Sequence, residues 1–383
     1  MTAKSKNVIA RSFAGRELSI ADVTALLSEQ NEASCREMYA AANELKETLC
    51  GRRVTYIVNL NLNFTNVCEQ HCGFCNFRRD DNDADAYRMT IDDCLEHIGR
   101  RVSLGITEVT IQGGLDAKTP VDFYFTLVME IKRAFPKIHI HAFSPEEIAY
   151  IHERSGESFA RIIDRLRVAG LGSMPGTAAE ILVDDVRRRL CNQKVMSGEW
   201  CEIVETAHRV GLRTTSTMMY GHIETVEQRA EHLLRLLAVQ RRTGGFTEFI
   251  QLPFVAEKAP IAIKRGLCSP QTREALNLIA ASRLLFRDEL SHIQAVAWVK
   301  RGLDEAVQSL HCGADDLGGT LIEEKITRAA GASHGSYVPA AELHRRIEAE
   351  GLKAVQRTTL YGIVEPDMIA HVGERNVVTS LAC

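Results

Sequence analysis

Three cysteines, Cys68, Cys72 and Cys75, fall within the run Asn66-Val67-Cys68-Glu69-Gln70-His71-Cys72-Gly73-Phe74-Cys75-Asn76-Phe77. Their C-x-x-x-C-x-x-C spacing supplies three thiolates, and only three, to one compact metal centre. A [4Fe–4S] cube has four irons and normally takes four cysteines. With three, one iron keeps an open coordination position, which a catalytic metal needs and a structural one does not. Two blander chemistries use neighbouring cysteines: a zinc site completed by His71, or a ferredoxin-like cluster with a remote fourth ligand such as Cys94. Zinc motifs come as two ligand pairs a dozen or more residues apart, and no second pair follows here.

Such a centre has to be held by a scaffold, and the chain of 383 residues is long enough for a large one. Barrels of the α/β kind run past 250 residues as one unit. Charged residues make up 25% and hydrophobic residues 45%, an ordinary globular balance. A net charge of −4, with no basic stripe interleaved with aromatics, argues against nucleic-acid binding. No stretch approaches the ~18 apolar residues of a membrane span. The other eight cysteines have no paired spacing and are expected to be reduced thiols, which places the protein in the cytoplasm. Met1 to Arg16 is basic without an apolar signal core. A frayed tail is expected there, with a transit peptide as the alternative.

Residues 17–50 read as helix, with Ser19 as N-cap and a second helix from about Ser34 to Leu49 stopped by Gly51. Strand-like runs then alternate with amphipathic helices, the pattern of a parallel sheet. Strands are expected near 56–64, 107–112, 137–143, 169–174, 212–219, 247–254, 292–299 and 314–320. Ser144-Pro145-Glu146-Glu147 combines an N-cap, a first-turn proline and a capping-box glutamate, and Thr225 with Gln228 makes a second box. The expected architecture is a TIM-like (β/α)₈ barrel over 53–330, preceded by a helical extension over 1–52. A C-terminal helix and tail over 331–383 pack on it.

Strand alternation adds a chemical expectation. Val58, Leu60, Leu62 and Phe64 face one way while Asn59, Asn61, Asn63 and Thr65 face the other. Ile138 and Ile140 oppose His139 and His141 in the same manner, and Val109 and Ile111 oppose Glu108, Thr110 and Gln112. If the aliphatic faces meet the outer helices, the barrel interior is polar, where barrels of this class are usually filled by branched aliphatics. A polar lumen is costly unless each group finds a partner, and it suits a wet cavity for a polar substrate.

The cysteine motif resembles that of the radical S-adenosylmethionine (SAM) enzymes, in which the open iron binds SAM. Six further segments extend the likeness: IQGGL (111–115), HIHAFSPEE (139–147), GSMPGTAAEIL (172–182), RTTSTMMYGH (213–222), GGFTEFIQLPFV (244–255) and ADDLGGTL (314–321). Together with NLNFTNVCEQHCGFCNFRR (61–79), they resemble the CofH family, the second radical SAM component of deazaflavin (FO) synthase, over roughly residues 50–362. The neighbouring menaquinone-pathway enzymes, aminofutalosine synthase and dehypoxanthine futalosine cyclase, are the alternative. They carry Pro-Gly-Gly-Gly-Ala-Glu where this chain has Pro175-Gly176-Thr177-Ala178-Ala179-Glu180.

The resemblance implies one [4Fe–4S] cluster on Cys68, Cys72 and Cys75, with SAM as second cofactor. Phe74 would lie beside the adenine, and Gln112, Gly113 and Gly114 would form the glycine motif that meets the SAM amino group. A plain strand-to-loop turn is the other reading of the two glycines. Glu180 would bind the SAM ribose or amine, or else serve a helix dipole. The implied substrates are L-tyrosine and 5-amino-6-(D-ribitylamino)uracil. Tyrosine is cleaved at Cα–Cβ, 2-iminoacetate leaves, and the 4-hydroxybenzyl radical adds to the uracil. A CofG partner enzyme and a low-potential electron donor, a ferredoxin or flavodoxin, are also implied. A proton must leave the tyrosine ammonium, and His139, His141 and Glu248 are the candidate bases. Asp315 or Asp316 (Asp316 being the site candidate) would bind ribityl hydroxyls or the uracil edge, or else cap the next helix. Lys300, Tyr220 and Trp298 are weaker candidates for a carboxylate and for ring stacking.

Overall fold

The computed structural model describes residues 3–364. Six strands pair in parallel in chain order: β2 (Asn59–Leu62), β3 (Glu108–Ile111), β4 (His139–Ala142), β5 (Ser173–Met174), β6 (Arg213–Tyr220) and β7 (Phe246–Pro253). The strand β1 (Arg53–Ile57) lies between β8 (Asp316–Gly319) and β9 (Lys353–Gln356), again in parallel. Only Val58 separates β1 from β2. Single bridges join Leu60 to Ile322, Phe249 to Ile293 and Gln294 to Asp316, and these close the sheets into a ring.

Two expected strands shrink for identifiable reasons. The run 292–299 keeps only the bridges at Ile293 and Gln294, and Trp298–Arg301 is helical. Side chains take the amides a ladder would use: Ile293 N donates to Asp315 Oδ1 (2.8 Å) and Val296 N to Ser309 Oγ (3.1 Å). The run 169–174 keeps Ser173–Met174 because the preceding helix extends to Ala169 and Gly170 stops it in the left-handed conformation (φ +118°).

The N-terminal extension is three helices, not two and a tail. The segment expected to fray forms α1 (Ala3–Phe13). Val8 is buried, and Ser12 Oγ donates to Leu284 O, 272 residues away. In α2 (Ile20–Leu27) Ser19 caps as expected, within a capping box completed by Asp22, and in α3 (Glu32–Cys50) Asn31 caps and Gly51 ends the helix. At the other end, helix Ala340–Ala349 leads to β9, which adds to β1 below the ring. The C-terminal tail beyond residue 364, with Cys383, lies outside the described residues. The other ten cysteines are all free, and among the described residues no helix is long and apolar enough to cross a membrane.

The two faces of the strands divide as alternation requires. Leu60, Leu62, Val109, Ile111, Ile140 and Phe249 pack outward into the main apolar core beneath the helices. Their neighbours Asn59, Asn61, Glu108, Thr110, His141 and Glu248 line the interior. The lumen is therefore polar along β2, β3 and β4, while Ile57, Ile250, Leu252 and Leu317 line it from β1, β7 and β8.

Candidate active site

The lumen is one cavity of about 410 Å³ with Cys68, Cys72 and Cys75 in its wall. That volume lies in the range of small-molecule sites. The cysteine loop leaves the C-terminal end of β2 and is pinned along its length. Cys68 N donates to Arg79 O (3.2 Å), Glu69 N to Leu115 O (2.8 Å) and Gly73 N to Leu190 O (2.9 Å), while Gly73 O accepts from Ile261 N (2.8 Å). Burial pushes the Cys68 and Cys72 thiols up, so thiolates there call for a positive centre.

Thiolates on a single zinc sit about 2.3 Å from it and hence under ~4 Å apart. Among the described residues the one trio of such ligands with donor atoms all within 4.8 Å is Cys50, His292 and Asp315, not the cysteine loop. The thiols of Cys68, Cys72 and Cys75 do not all approach one another that closely. The Asp315 trio is already satisfied without a metal: Oδ1 accepts from Arg283 (2.6 Å) and Ile293 N (2.8 Å), and Oδ2 lies 2.7 Å from His292 Nδ1.

Gly113 and Gly114 line the cavity beside this loop. A Cβ on Gly114 would fall 2.0 Å from Val67 O and 3.0 Å from Cys68 Cβ; one on Gly113 would fall 2.3 Å from the Phe64 ring. Glycine is thus required by the protein's own close packing against the cysteine loop. Gly113 N donates to Glu147 Oε1 (3.1 Å) and Gly114 N to Thr65 O (3.0 Å). Glu147 completes the Ser144 capping box with its other oxygen, and burial pushes its carboxyl up to about 7. Gln112 also lines the cavity and donates from Nε2 to Thr177 Oγ1 (2.5 Å).

Opposite the glycines, Pro175 to Glu180 forms a strained loop. A Cβ at Gly176 would meet Thr215 O at 2.0 Å, and two non-glycine residues, Ala178 (φ +64°) and Glu180 (φ +41°), are left-handed. Glu180 Oε1 lies 2.9 Å from Lys194 Nζ. Burial pushes the carboxyl up, but Lys194 outweighs it and holds Glu180 below the usual range. Lys194 Nζ also sits 5.3 Å from the centre of the Phe74 ring. Lys300, in the same wall, has no carboxylate at ion-pair distance among the described residues, and burial pulls its ammonium down.

The deep end of the lumen sorts the candidate bases. Ser173 Oγ lies 2.7 Å from His139 Nε2 and 2.7 Å from His141 Nδ1. Only His141 lines the cavity; His139 packs one layer lower, against Gly172. Desolvation depresses both, His139 to about 4, so both are neutral at pH 7. Glu248 lines the cavity, accepts from Tyr361 Oη (2.8 Å), and faces Arg357 Nη2 and Gln294 Nε2 at 3.3 Å each. Burial pushes its carboxyl up to about 7, with Arg357 opposing.

Neither aspartate of the Asp315–Asp316 pair occupies the expected position. Asp316 is fully buried below the cavity, where it accepts from Thr55 Oγ1 (2.6 Å), Gly318 N (2.7 Å) and Arg357 Nε. Because β8 begins at the floor of the ring, its first residue does not line the cavity; Leu317, Gly318 and Gly319 line it instead. Neither aspartate caps a helix. Trp298 lines the cavity with its indole N–H on Gly319 O (2.9 Å), while Tyr220 points into the outer core.

Residues 62–236 match the radical SAM superfamily, and residues 243–368 match the CofH/MqnC C-terminal region. The chain is 43% identical over 379 residues to the 5-amino-6-(D-ribitylamino)uracil–L-tyrosine 4-hydroxyphenyl transferase of Synechococcus elongatus, covering 96% of this chain and 98% of that one. It is 46% identical over 327 residues to the transferase of the same name from Methanothermobacter thermautotrophicus, covering 85% and 89%. The chain belongs to this transferase family. In fold it is similar to the crystal structure of methylornithine synthase (TM-score 0.71, 18% identity, 91% of this chain and 97% of that one).

For a radical SAM family member, an iron–sulfur cluster and SAM are implied, and the cavity fits them. It offers three thiols on a pinned loop, a cationic Lys194 beside Phe74, and a buried Asn61 Nδ2 with no partner among the described residues. Sequence reasoning passed over Lys194, Glu147 and Arg357. Only the capping box at Ser144 gave a local signal, and it pointed to helix geometry, not to the cavity.

Proposed function

We propose that this chain performs the reaction its relatives are named for, joining the 4-hydroxybenzyl part of L-tyrosine to 5-amino-6-(D-ribitylamino)uracil with loss of 2-iminoacetate. One observation carries the reading: a cavity of about 410 Å³ has the three cysteines in its wall and polar side chains from five strands, Asn61, Thr110, His141, Thr217 and Glu248, set among apolar ones. Both substrates are polar and would find partners among those polar side chains.

Cys68, Cys72 and Cys75 are assigned as the three ligands of one [4Fe–4S] cluster. The cluster and SAM together supply a carbon radical able to abstract a hydrogen atom. At the cluster end, Phe74, Gln112, Gly113, Gly114 and the Glu180–Lys194 pair position SAM. Glu180 offers a carboxylate kept ionised by Lys194, suited to ribose hydroxyls or an ammonium. At the deep end, Glu248 is the stronger candidate for the proton of the tyrosine ammonium. A carboxyl tuned to about 7 exchanges protons at neutral pH, whereas His141 is held neutral by burial. His139 and Asp316 act as positioning groups, through Ser173 and Arg357 respectively. The free Lys300 ammonium suits a substrate carboxylate. The product would pass to the CofG partner, in a reducing, cytoplasmic compartment consistent with ten unpaired cysteines.

The test is anaerobic incubation of reconstituted protein with SAM, dithionite, tyrosine and the ribitylaminouracil. Deoxyadenosine and a coupled product should form only when tyrosine is present. Turnover that ignores tyrosine but responds to a futalosine would overturn the assignment.

A further inference from the structure

Cleaving SAM reductively takes one electron per event, and that electron must enter from outside the chain. The wall between the cysteine loop and solvent is thin on one side. Gly73, between Cys72 and Cys75, is held through its N–H by Leu190 O and through its carbonyl by Ile261 N, and Asn76 Nδ2 donates to Ala329 O (2.7 Å). Cys72 packs with Leu190, Cys191, Phe254, Ala259 and Ile261 in a small apolar cluster separate from the main core. In the helix Pro260–Arg265, Ile261 and Ala262 are buried on the cysteine side, and the next three residues are already at the surface.

The outer face of that wall is basic on a chain whose net charge is −4. Lys258 precedes the helix, Lys264 and Arg265 are its last two residues, Arg189 lies in the last turn of the helix Asp184–Leu190, and Arg328 precedes Ala329. All five are exposed. None has a carboxylate at ion-pair distance among the described residues, whereas exposed arginines elsewhere are commonly paired, as in Arg100–Glu96, Arg133–Glu130 and Arg345–Glu342. The neighbouring acids are few. Asp185 is taken by Arg188, Glu69 accepts from Tyr150 on another face, and Glu257 shares hydrogen bonds with Ser269. Ile263, in the same helix as Lys264 and Arg265, is 72% exposed.

We infer that this face, made up of Ile263 with Arg189, Lys258, Lys264, Arg265 and Arg328, docks an acidic one-electron carrier protein that reduces the cluster. The inference rests on the cysteine loop holding a redox cluster. Charge complementarity selects an acidic partner and speeds encounter. A small contact with an apolar centre suits the brief association of an electron carrier. In the step, the carrier is oxidised by one electron and the cluster reduced by one, and no atom or proton changes hands.

The test uses the reconstituted full-length enzyme and the variant Lys258→Glu/Lys264→Glu/Arg265→Glu, with an acidic flavodoxin as probe. Flavodoxin binding, followed by calorimetry at low salt, should weaken at least tenfold in the variant and fall with added salt in the parent protein. Deoxyadenosine formation driven by flavodoxin hydroquinone should drop in parallel, while the rate driven by dithionite with methyl viologen, a small cation, should change less than twofold. Ile263→Asp should weaken binding as well, and Lys137→Glu, an exposed change at the opposite end of the barrel, should not. Equal flavodoxin binding by variant and parent, or an equal loss with both reductants, overturns the inference. Failure of the parent enzyme with viologen would instead refute the redox role of the cysteine loop.

Discussion

Replacing Arg357 with methionine should destabilise the protein by an amount that grows with pH. Its guanidinium, 3% exposed, stands between two buried carboxylates, Asp316 at 0% and Glu248 at 4%. Methionine refills most of the volume, so the cavity contribution is small. What remains is two carboxylates without their cation, and removing one partner of a buried ion pair costs about 3–5 kcal/mol. The sign with pH follows from Glu248, which burial already raises from 4.5 to about 7 against the pull of Arg357. A carboxyl raised in the folded state binds more protons folded than unfolded, so stability falls as pH rises through that interval. Without Arg357 the carboxyl holds its proton more tightly still, and each further tenfold gain in proton affinity is worth about 1.4 kcal/mol. The deficit should therefore be about 3–5 kcal/mol at pH 8 and smaller at pH 5.5 by up to ~1.4 kcal/mol. Urea melts of Arg357→Met and the parent protein at both pH values measure it. A deficit that is the same at both, or larger at pH 5.5, would refute this account of the floor of the lumen.

Gly114→Ala places a methyl 2.0 Å from Val67 O, so it should cost about 2 kcal/mol or more and reduce iron bound per chain to less than half, read by thermal melting and iron analysis. Cys68→Ala, Cys72→Ala or Cys75→Ala should each abolish deoxyadenosine formation while leaving the far-ultraviolet circular dichroism of the barrel intact; residual production in any of them contradicts the ligand assignment. Lys194→Met removes the cation that keeps Glu180 ionised. The expected result is a KM for SAM at least tenfold higher with the KM for tyrosine little changed, and a rise in both alike would mean a general loss of packing.

How much of this was legible in the sequence depends on how local each interaction is. The cysteine loop, the Ser144 capping box and the inward asparagines of β2 are written in consecutive residues; the capping box and the asparagines appear as expected, and the cysteines line the cavity. Depth is not written there. His139 and His141 share a face by period-two alternation, and Asp316 and Gly318 do likewise, yet in each pair only the second reaches the cavity. Alternation reports the side of a strand and says nothing about how far along the barrel axis a residue lies. The shortened strand at 292–299 fails for a related reason. Its apolar and polar residues alternate well, but Asp315 and Ser309 offer acceptors that compete with a ladder. The helix α1 lacks any local sign that it would dock, because its anchor is Leu284 O, far along the chain.

Glu108 is met within the sheet by Asn59 and Thr110, but the cations that offset Glu180, Glu248 and Asp316 come from outside the barrel strands. Lys194, which offsets Glu180, sits in the connection between two helices. Arg357, which offsets Asp316 and Glu248, arrives 41 and 109 residues along the chain, delivered by the pairing of β9 with β1. Just beyond it, the Tyr361 ring stacks on His292 (3.6 Å between centres, 7° apart) while its hydroxyl reaches Glu248, closing the floor. A strand-only barrel with this interior would bury Glu248 and Asp316 with little positive charge beside them, at several kcal/mol each. The C-terminal segment is therefore part of the site. It supplies the counter-charge that lets the strands turn their inner face over to polar groups a substrate can use.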